Sequence, residues 1–129
     1  MTRQPEDLPA KPLPKRGLPH VLAAATYSLG GFRRLLDETA FRHEIGACLA
    51  VLSLFAAVGV PAWHYAAQAI LFLILFAIEA LNTAIEVLVD EISSGYAEFA
   101  RHAKDLGSFA VCCLLTANGI HAAGAVFLT

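Results

Sequence analysis

Three long uncharged segments dominate the pattern of hydrophobic and polar positions along the chain. They cover residues 45–63, 65–78 and 106–129. A helix needs roughly 20 predominantly apolar residues to cross a bilayer, so the first and third segments are long enough as they stand. The second is long enough only if its helix continues past Glu79 and Glu86. The pattern therefore predicts membrane spans at about 39–60, 62–90 and 105–128.

A shorter amphipathic pattern precedes the first span. Its apolar residues recur at alternating steps of four and three, at Leu18, Leu22, Ala25, Leu29, Phe32 and Leu36. Arg33 and Arg34 lie off this stripe. The pattern predicts an N-terminal amphipathic helix over about 18–36 that lies on the cytoplasmic face of a membrane. Gly30-Gly31 is the place where such a helix would bend or break.

The two ends of the amphipathic pattern define the domain organisation. The first nineteen residues hold five of the six prolines and charges of both signs, a composition that does not bury enough apolar surface to fold. We expect residues 1–17 to form a flexible tail and residues 18–129 to form one membrane domain. A second helical stripe follows the second span, from Ile92 to Leu106, with a turn near residues 93–95.

Composition and charge placement predict the fold class and the orientation. Because 57% of the 129 residues are hydrophobic, a soluble protein with three buried helices would have too little polar surface. We therefore predict an all-α membrane protein with three spanning helices. The net charge of −2 argues against a nucleic-acid-binding surface. All nine Lys and Arg residues lie before residue 43 or between residues 91 and 105, which predicts a cytoplasmic N-terminus and second loop and an external C-terminus.

Four polar residues of the second span carry the candidate chemistry. Glu79, Asn82, Glu86 and Asp90 are separated by three, four and four residues, so they project from one face of a helix. Carboxylates inside a membrane normally face a bundle interior, a cavity or a partner group. The spacing alone leaves three interpretations open: polar packing against a neighbouring helix, a proton or ion pathway, and a catalytic site.

Residues at the other helix ends favour the catalytic interpretation. Glu38 and Glu44 stand where the first span begins, and Lys104 and Asp105 where the third begins. Magnesium prefers oxygen ligands and is usually held by one or two carboxylates together with substrate phosphates. Phosphoryl transfer also needs positive charge on the phosphates and a group that accepts a proton. Taken alone, Lys104 favours an interfacial lysine that reaches toward water over a catalytic residue.

Three motifs resemble the small bacterial diacylglycerol kinases, which are integral membrane lipid kinases. They read EALNTAIE at residues 79–86, AKDLGS at 103–108 and ETAFRHE at 38–44, and the resemblance runs from about residue 27 to the end. It implies a homotrimer in the bacterial cytoplasmic membrane that phosphorylates sn-1,2-diacylglycerol to phosphatidic acid with ATP and Mg²⁺. The alternatives are an undecaprenol kinase of the same fold and a non-enzymatic membrane scaffold or ion-conducting subunit. The chain has no GxxxxGK[ST] phosphate loop, so an ATP site must use another architecture.

The same resemblance implies a role for each matching residue. Glu79 is the expected general base toward the lipid hydroxyl and also contacts the lipid. Glu38 and Glu86 are the expected metal ligands. The expected ATP contacts are Tyr27, Glu38, Glu86, Gly95, Tyr96, Ala97, Lys104 and Asp105. The expected lipid contacts are Ala40, Phe41, Arg42 and Ser108, and Asn82 and Asp90 are supporting polar residues. The chain departs from the family pattern at His20, Gly95 and Ala97, where an arginine, an acidic residue and a histidine are common.

Overall fold

The structure, a computed structural model, describes residues 17–93, 95 and 97–128. The regular structure in these residues is helical throughout, with α1 at Leu18–Leu36, α2 at Thr39–Val58, α3 at Ala62–Ile92 and α4 at Glu98–Phe127. Helices α2, α3 and α4 are each long and apolar enough to cross a membrane. The predicted fold class, an all-α membrane protein with three spanning helices, is confirmed.

The last helix begins earlier than the apolar pattern predicts. α4 starts at Glu98, whereas the third span is predicted from about residue 105, so α4 also contains most of the amphipathic segment that precedes the span. Residues 98–106 include no Gly or Pro that would interrupt a helix, and the carboxylate of Glu98 in the first turn favours a helix start. The 31 residues of α3 extend about 46 Å, so this helix exceeds a hydrocarbon core of about 30 Å.

Helix α1 is continuous through the paired glycines at positions 30 and 31. The described residues fall into two compact units, one that ends at residue 32 and one that begins at residue 33, so the boundary lies within α1. In the first unit the hydroxyl groups of Thr26 and Ser28 each donate to a carbonyl four residues earlier at 3.0 Å, which satisfies them within the helix. Val21 and Leu22 are exposed. The predicted tail, apart from Gly17, lies outside the described residues.

A glycine turn joins α2 to α3. Gly59 has a φ of 79°, in the left-handed region that glycine adopts without steric penalty. The N–H groups of Gly59 and Val60 both donate to the carbonyl of Phe55, at 2.9 and 3.0 Å. Pro61 lies directly before the first residue of α3. Because proline has no N–H, it leaves no unpaired donor at this helix start. This short turn holds α2 beside α3.

The principal packing is between α3 and α4, while α2 contacts both helices more sparsely. Gly107 of α4 is buried against Asn82 of α3, and a Cβ atom at position 107 would collide with the Oδ1 atom of Asn82. On the α2 side, Phe41 packs edge to face on Phe76, with ring centroids 5.1 Å apart. The absence of a side chain at Gly107 therefore lets a polar residue lie between two closely packed helices.

The outer faces of the spanning helices are apolar. Leu49 of α2, Leu73 of α3 and Ile120 of α4 are each more than half exposed. Aliphatic side chains in such positions suit contact with lipid chains or with other membrane helices. The polar side chains buried between the helices are therefore the better guide to a functional site.

Gly107→Ala is expected to destabilise the protein by about 1–3 kcal/mol, because the added methyl group forces Asn82 to rotate or the two helices to separate. Gly119→Ala is the matched control, since it lies on the same helix and its added Cβ would meet no atom within 4 Å. Thermal unfolding of both variants in one detergent makes the comparison. Equal unfolding midpoints would contradict the close approach at Gly107.

Candidate active site

The polar stripe of α3 runs from the interior of the helix bundle to its surface. Glu79 and Asn82 are 4% and 8% exposed, Glu86 is half-buried and Asp90 is exposed. Their spacing along the helix keeps all four on one face. Glu79 is therefore the carboxylate of the stripe that is most shielded from solvent.

A cavity of about 260 Å³ brings most of the predicted catalytic, metal and lipid residues together. We call it the carboxylate cavity. Its lining residues are Glu38, Ala40, Glu79, Asn82, Thr83, Glu86, Ser108 and Val111. All of them except Thr83 and Val111 have a role predicted from the sequence. Residues from the start of α2, the second half of α3 and the first half of α4 thus share one concave surface.

Negative charges face one another in the carboxylate cavity. The charges of Glu86 and Glu38 both act on Glu79, and no Lys or Arg is among the lining residues. Two of the carboxylates are held in position. The Nδ2 atom of Asn82 donates to Oε1 of Glu86 at 3.1 Å, and Arg34 forms an ion pair with Glu38 at 2.6 Å. Three carboxylates in a partly desolvated cavity favour the binding of a cation.

The oxygen atoms of this cavity fit a hard divalent ion. Glu38 and Glu86 supply the carboxylates, whereas Oδ1 of Asn82 packs against Gly107 and is buried without a hydrogen-bond partner in the described part of the chain. Among the described residues, no group of three His, Cys, Asp or Glu side chains is arranged to hold a metal by itself. This combination suits Mg²⁺, which is commonly held by one or two carboxylates and by the phosphate oxygens of a substrate.

Glu44 is a further buried carboxylate, which the sequence places at the start of the first span without a specific catalytic or binding role. It lies on α2, is 4% exposed, and interacts electrostatically with Glu79. Its Oε2 atom has no hydrogen-bond partner within the residues that the structure describes. The signal in the sequence is its spacing of three residues from Phe41, because both side chains lie on the buried face of α2.

A second cavity, of about 320 Å³, lies where α3 ends and α4 begins. We call it the loop cavity. It is lined by Val89, Asp90, Ser93, Gly95, Ala97, Ala100, Arg101, Lys104 and Asp105. The Nζ atom of Lys104 donates to Oδ1 of Asp90 at 2.6 Å, and Arg101 pairs with Asp105 at 3.4 Å. Four predicted nucleotide contacts, Gly95, Ala97, Lys104 and Asp105, thus come together here.

Three other predicted site residues, Tyr27, Phe41 and Arg42, are not among the residues that line either cavity. Tyr27 is on α1, 76% exposed, and Tyr96 lies outside the described residues. Phe41 is 1% exposed against Phe76. The guanidinium of Arg42 donates to the carbonyls of residues 36 and 37 and to Oγ1 of Thr39, at 3.0 to 3.1 Å. Phe41 and Arg42 therefore stabilise the start of α2 in this structure, and their predicted contact with lipid stays a prediction.

Comparison with known proteins gives consistent results over most of the chain. The family model of prokaryotic diacylglycerol kinase matches residues 26–128. A protein of a Sinorhizobium species named diacylglycerol kinase is 53% identical over 107 residues, which cover 83% of this chain and 78% of the relative. The protein of that name from Haemophilus influenzae is 34% identical over 112 residues, covering 86% and 95%.

A third protein named diacylglycerol kinase, from Escherichia coli, is 36% identical over 96 residues, which cover 74% of this chain and 79% of the relative. The family match extends over every residue that lines the carboxylate cavity and the loop cavity. With its three membrane-spanning helices and a buried acidic site between them, the chain belongs to the prokaryotic diacylglycerol kinase family of membrane lipid kinases.

Proposed function

We propose that this protein transfers the γ-phosphoryl group of ATP to the free hydroxyl of sn-1,2-diacylglycerol, forming phosphatidic acid and ADP. The observation that carries the proposal is the buried carboxylate of Glu79 inside a cavity that two further carboxylates line. The lipid oxygen forms a bond to the γ-phosphorus while the bond from that phosphorus to the leaving oxygen of ADP breaks. The hydroxyl proton passes to the carboxylate of Glu79.

The remaining polar groups of the carboxylate cavity position Mg²⁺ and the phosphates. Glu38 and Glu86 would hold the ion, and Asn82 fixes the orientation of Glu86 through its 3.1 Å hydrogen bond. When bound, Mg²⁺ neutralises the negative charge on the phosphate oxygens. Ala40 and Ser108 line the same cavity, which supports a lipid headgroup lying beside Glu79.

The nucleotide occupies the loop cavity in this proposal. Lys104 supplies the positive charge for its phosphates, and Gly95 and Ala97 offer backbone groups along the same wall. The ion pair between Lys104 and Asp90 holds the ammonium group close to the exposed end of the acidic stripe. Phosphates between the two cavities would then face Lys104 on one side and the magnesium ligands on the other.

The placement of the basic residues supports an active site on the cytoplasmic side. All nine Lys and Arg residues precede residue 43 or lie between residues 91 and 105. Among the described ones, Arg42 near the start of α2 and Arg101 and Lys104 near the start of α4 lie at the same helix ends as the residues that line the two cavities. This placement supports a cytoplasmic site and an external C-terminus. The resemblance to the family supports a homotrimer whose subunits share active sites. The apolar outer faces of α2, α3 and α4 suit such an assembly.

Glu79→Gln is expected to lower the rate of lipid phosphorylation by about 10²-fold or more, because the amide keeps the shape of the side chain but accepts no proton. Glu91→Gln is the matched control, since Glu91 is also on α3 but is exposed and lines neither cavity. The rate of phosphatidic acid formation from ATP in detergent micelles is the measurement. A near-normal rate for Glu79→Gln would eliminate the general-base role.

Substrate choice is tested with radiolabelled ATP and a panel of lipid alcohols. We expect sn-1,2-diacylglycerol to be labelled fastest and labelling to require Mg²⁺. A clear preference for a polyprenol would overturn the assignment of diacylglycerol as the substrate, but the protein would still be a lipid kinase. An absence of lipid labelling and ATP hydrolysis would instead support a non-enzymatic membrane protein.

Lys104→Met is expected to raise the KM for ATP by about tenfold or more, since a hydrogen bond to a charged group is worth about 1.5–3 kcal/mol. The KM for diacylglycerol should change little. His102→Gln on the same helix is the control, because His102 is exposed and lines neither cavity. An unchanged KM for ATP in the Lys104 variant would show that this lysine does not contact the nucleotide and only extends its charge to the membrane interface.

A further inference from the structure

A second buried polar cluster lies at the other end of the α3–α4 pair. It contains His64 and Gln68 of α3, which are 5% and 0% exposed, and Asn118 of α4, which is 5% exposed. His121 of α4 completes it and is half-buried. We call these four residues the histidine cluster. His64 lies in the first turn of α3, whereas Glu86 lies in its second half, so the cluster is separate from the carboxylate cavity.

Backbone carbonyls fix the orientation of the two amides. The Nδ2 atom of Asn118 donates to the carbonyls of Leu114 at 2.8 Å and Leu71 at 3.3 Å. A carbonyl only accepts hydrogen bonds, so the other end of this amide is the oxygen. That oxygen accepts a 2.7 Å hydrogen bond from Nε2 of Gln68. The oxygen of Gln68 consequently faces His121.

The amide orientation fixes the tautomer of His121. Its Nδ1 atom lies 2.7 Å from Oε1 of Gln68, and since that oxygen only accepts, Nδ1 carries the hydrogen. In the neutral ring, Nε2 then bears a lone pair. This lone pair faces Nδ1 of His64 at 3.3 Å. A chain of polar contacts that begins at two backbone carbonyls thus ends with two imidazole nitrogens facing each other.

The hydrogen of His64 can move between its two ring nitrogens without breaking a hydrogen bond at Nε2. Nε2 is buried with no hydrogen-bond partner in the described part of the chain. With the hydrogen on Nε2, the lone pair of Nδ1 would face the lone pair of His121 Nε2. The 3.3 Å separation of the facing nitrogens is also long for a hydrogen bond, whose usual range for N–H donors is about 2.7–3.2 Å. The contact is therefore at the long end of the range for a hydrogen bond.

We propose that His64 and His121 chelate a borderline transition-metal ion such as Zn²⁺ through Nδ1 and Nε2, respectively. A tetrahedral zinc ion with Zn–N distances of about 2.0–2.1 Å holds two ligand nitrogens about 3.3 Å apart, which matches the observed separation. Zinc-binding histidines commonly donate their other N–H to a carbonyl oxygen, which fixes the ring. Gln68 provides this contact for His121.

The surroundings define the kind of site. Trp63 stacks on the ring of His64 with centroids 3.4 Å apart, and Phe55 lies beside His121 at 6.3 Å, so aromatic rings orient both ligands. No third His, Cys, Asp or Glu completes a ligand group within the described residues. Water or chloride would fill the remaining positions, which makes the site open and weaker than a four-ligand structural zinc site. Imidazole nitrogens favour Zn²⁺, Cu²⁺ or Ni²⁺ over Mg²⁺.

The proposal is tested by thermal unfolding of the full chain in detergent with excess Mg²⁺, with and without Zn²⁺. Zinc at about 100 times its dissociation constant should raise the unfolding midpoint by roughly 5 °C or more. His64→Phe keeps an aromatic ring beside Trp63 and should abolish this shift. His102→Phe, an exposed position outside the cluster, should retain it. Gln68→Met should weaken zinc binding by about 10- to 100-fold.

Nitrogen-15 NMR of histidine-labelled wild-type protein tests the same proposal without a variant. Zinc must occupy Nδ1 of His64, so the hydrogen of that ring must move from Nδ1 to Nε2, while His121 keeps its hydrogen on Nδ1. Signals of these two rings should change on addition of zinc and those of the other histidines should not. A zinc shift that persists in His64→Phe, or ring signals that zinc leaves unchanged, would overturn the proposal.

Discussion

The structure depends on one constraint: a polar group on a membrane-spanning helix must find its partners inside the protein, because lipid offers none. α3 collects its buried polar residues along a single face. His64, Gln68, Glu79, Asn82 and Thr83 are all buried on this helix, and their spacing keeps them directed toward the neighbouring helices. The aliphatic residues on its other faces remain exposed. The packing of α4 against α3 is therefore decided by polar contacts as much as by apolar ones.

An apolar layer divides this polar face into two parts. Phe72 and Leu75 are buried between Gln68 and Glu79, and eleven residues of helix separate the latter two by about 16 Å. One part offers carboxylate and amide oxygens, and the other offers imidazole nitrogens. Oxygen ligands favour hard ions such as Mg²⁺, whereas imidazole favours Zn²⁺ and its neighbours. The same helix face thus presents two chemically distinct environments at opposite ends of the bundle.

The sequence predicts features that depend on periodicity along one helix. The shared face of Glu79, Asn82 and Glu86 follows from their spacing, and so do the three spanning helices. Contacts that depend on the register between two helices cannot be predicted from the periodicity of either helix alone. His64 and His121 are far apart in the sequence, and their spacing suggests no pair. Gln68 and Asn118 were the available signal, since an uncharged amide inside a predicted span needs a partner on another helix.

Contacts between helices account for the remaining differences between the predicted and the observed positions of the site residues. Phe41 is an apolar residue at the start of a span, as expected of a lipid contact. In the structure Phe76 packs on its ring and Phe41 is buried. The turn at Gly59 brings α2 and α3 together and so allows this contact. The division of the predicted site residues between two cavities depends on the end of α3 and the start of α4, where Lys104 reaches Asp90. No periodicity within a single helix encodes a contact across a turn.

Gly107 shows how packing and chemistry are linked in such a protein. Its missing side chain leaves the space in which Asn82 lies between α3 and α4, and from this position Asn82 donates to Glu86. A basic residue in the same place would orient Glu86 more strongly, but it would also neutralise the negative charge that a metal ion requires. A neutral amide orients the carboxylate and leaves its charge available. The small residue on α4 therefore influences the orientation of Glu86 through Asn82 on the partner helix.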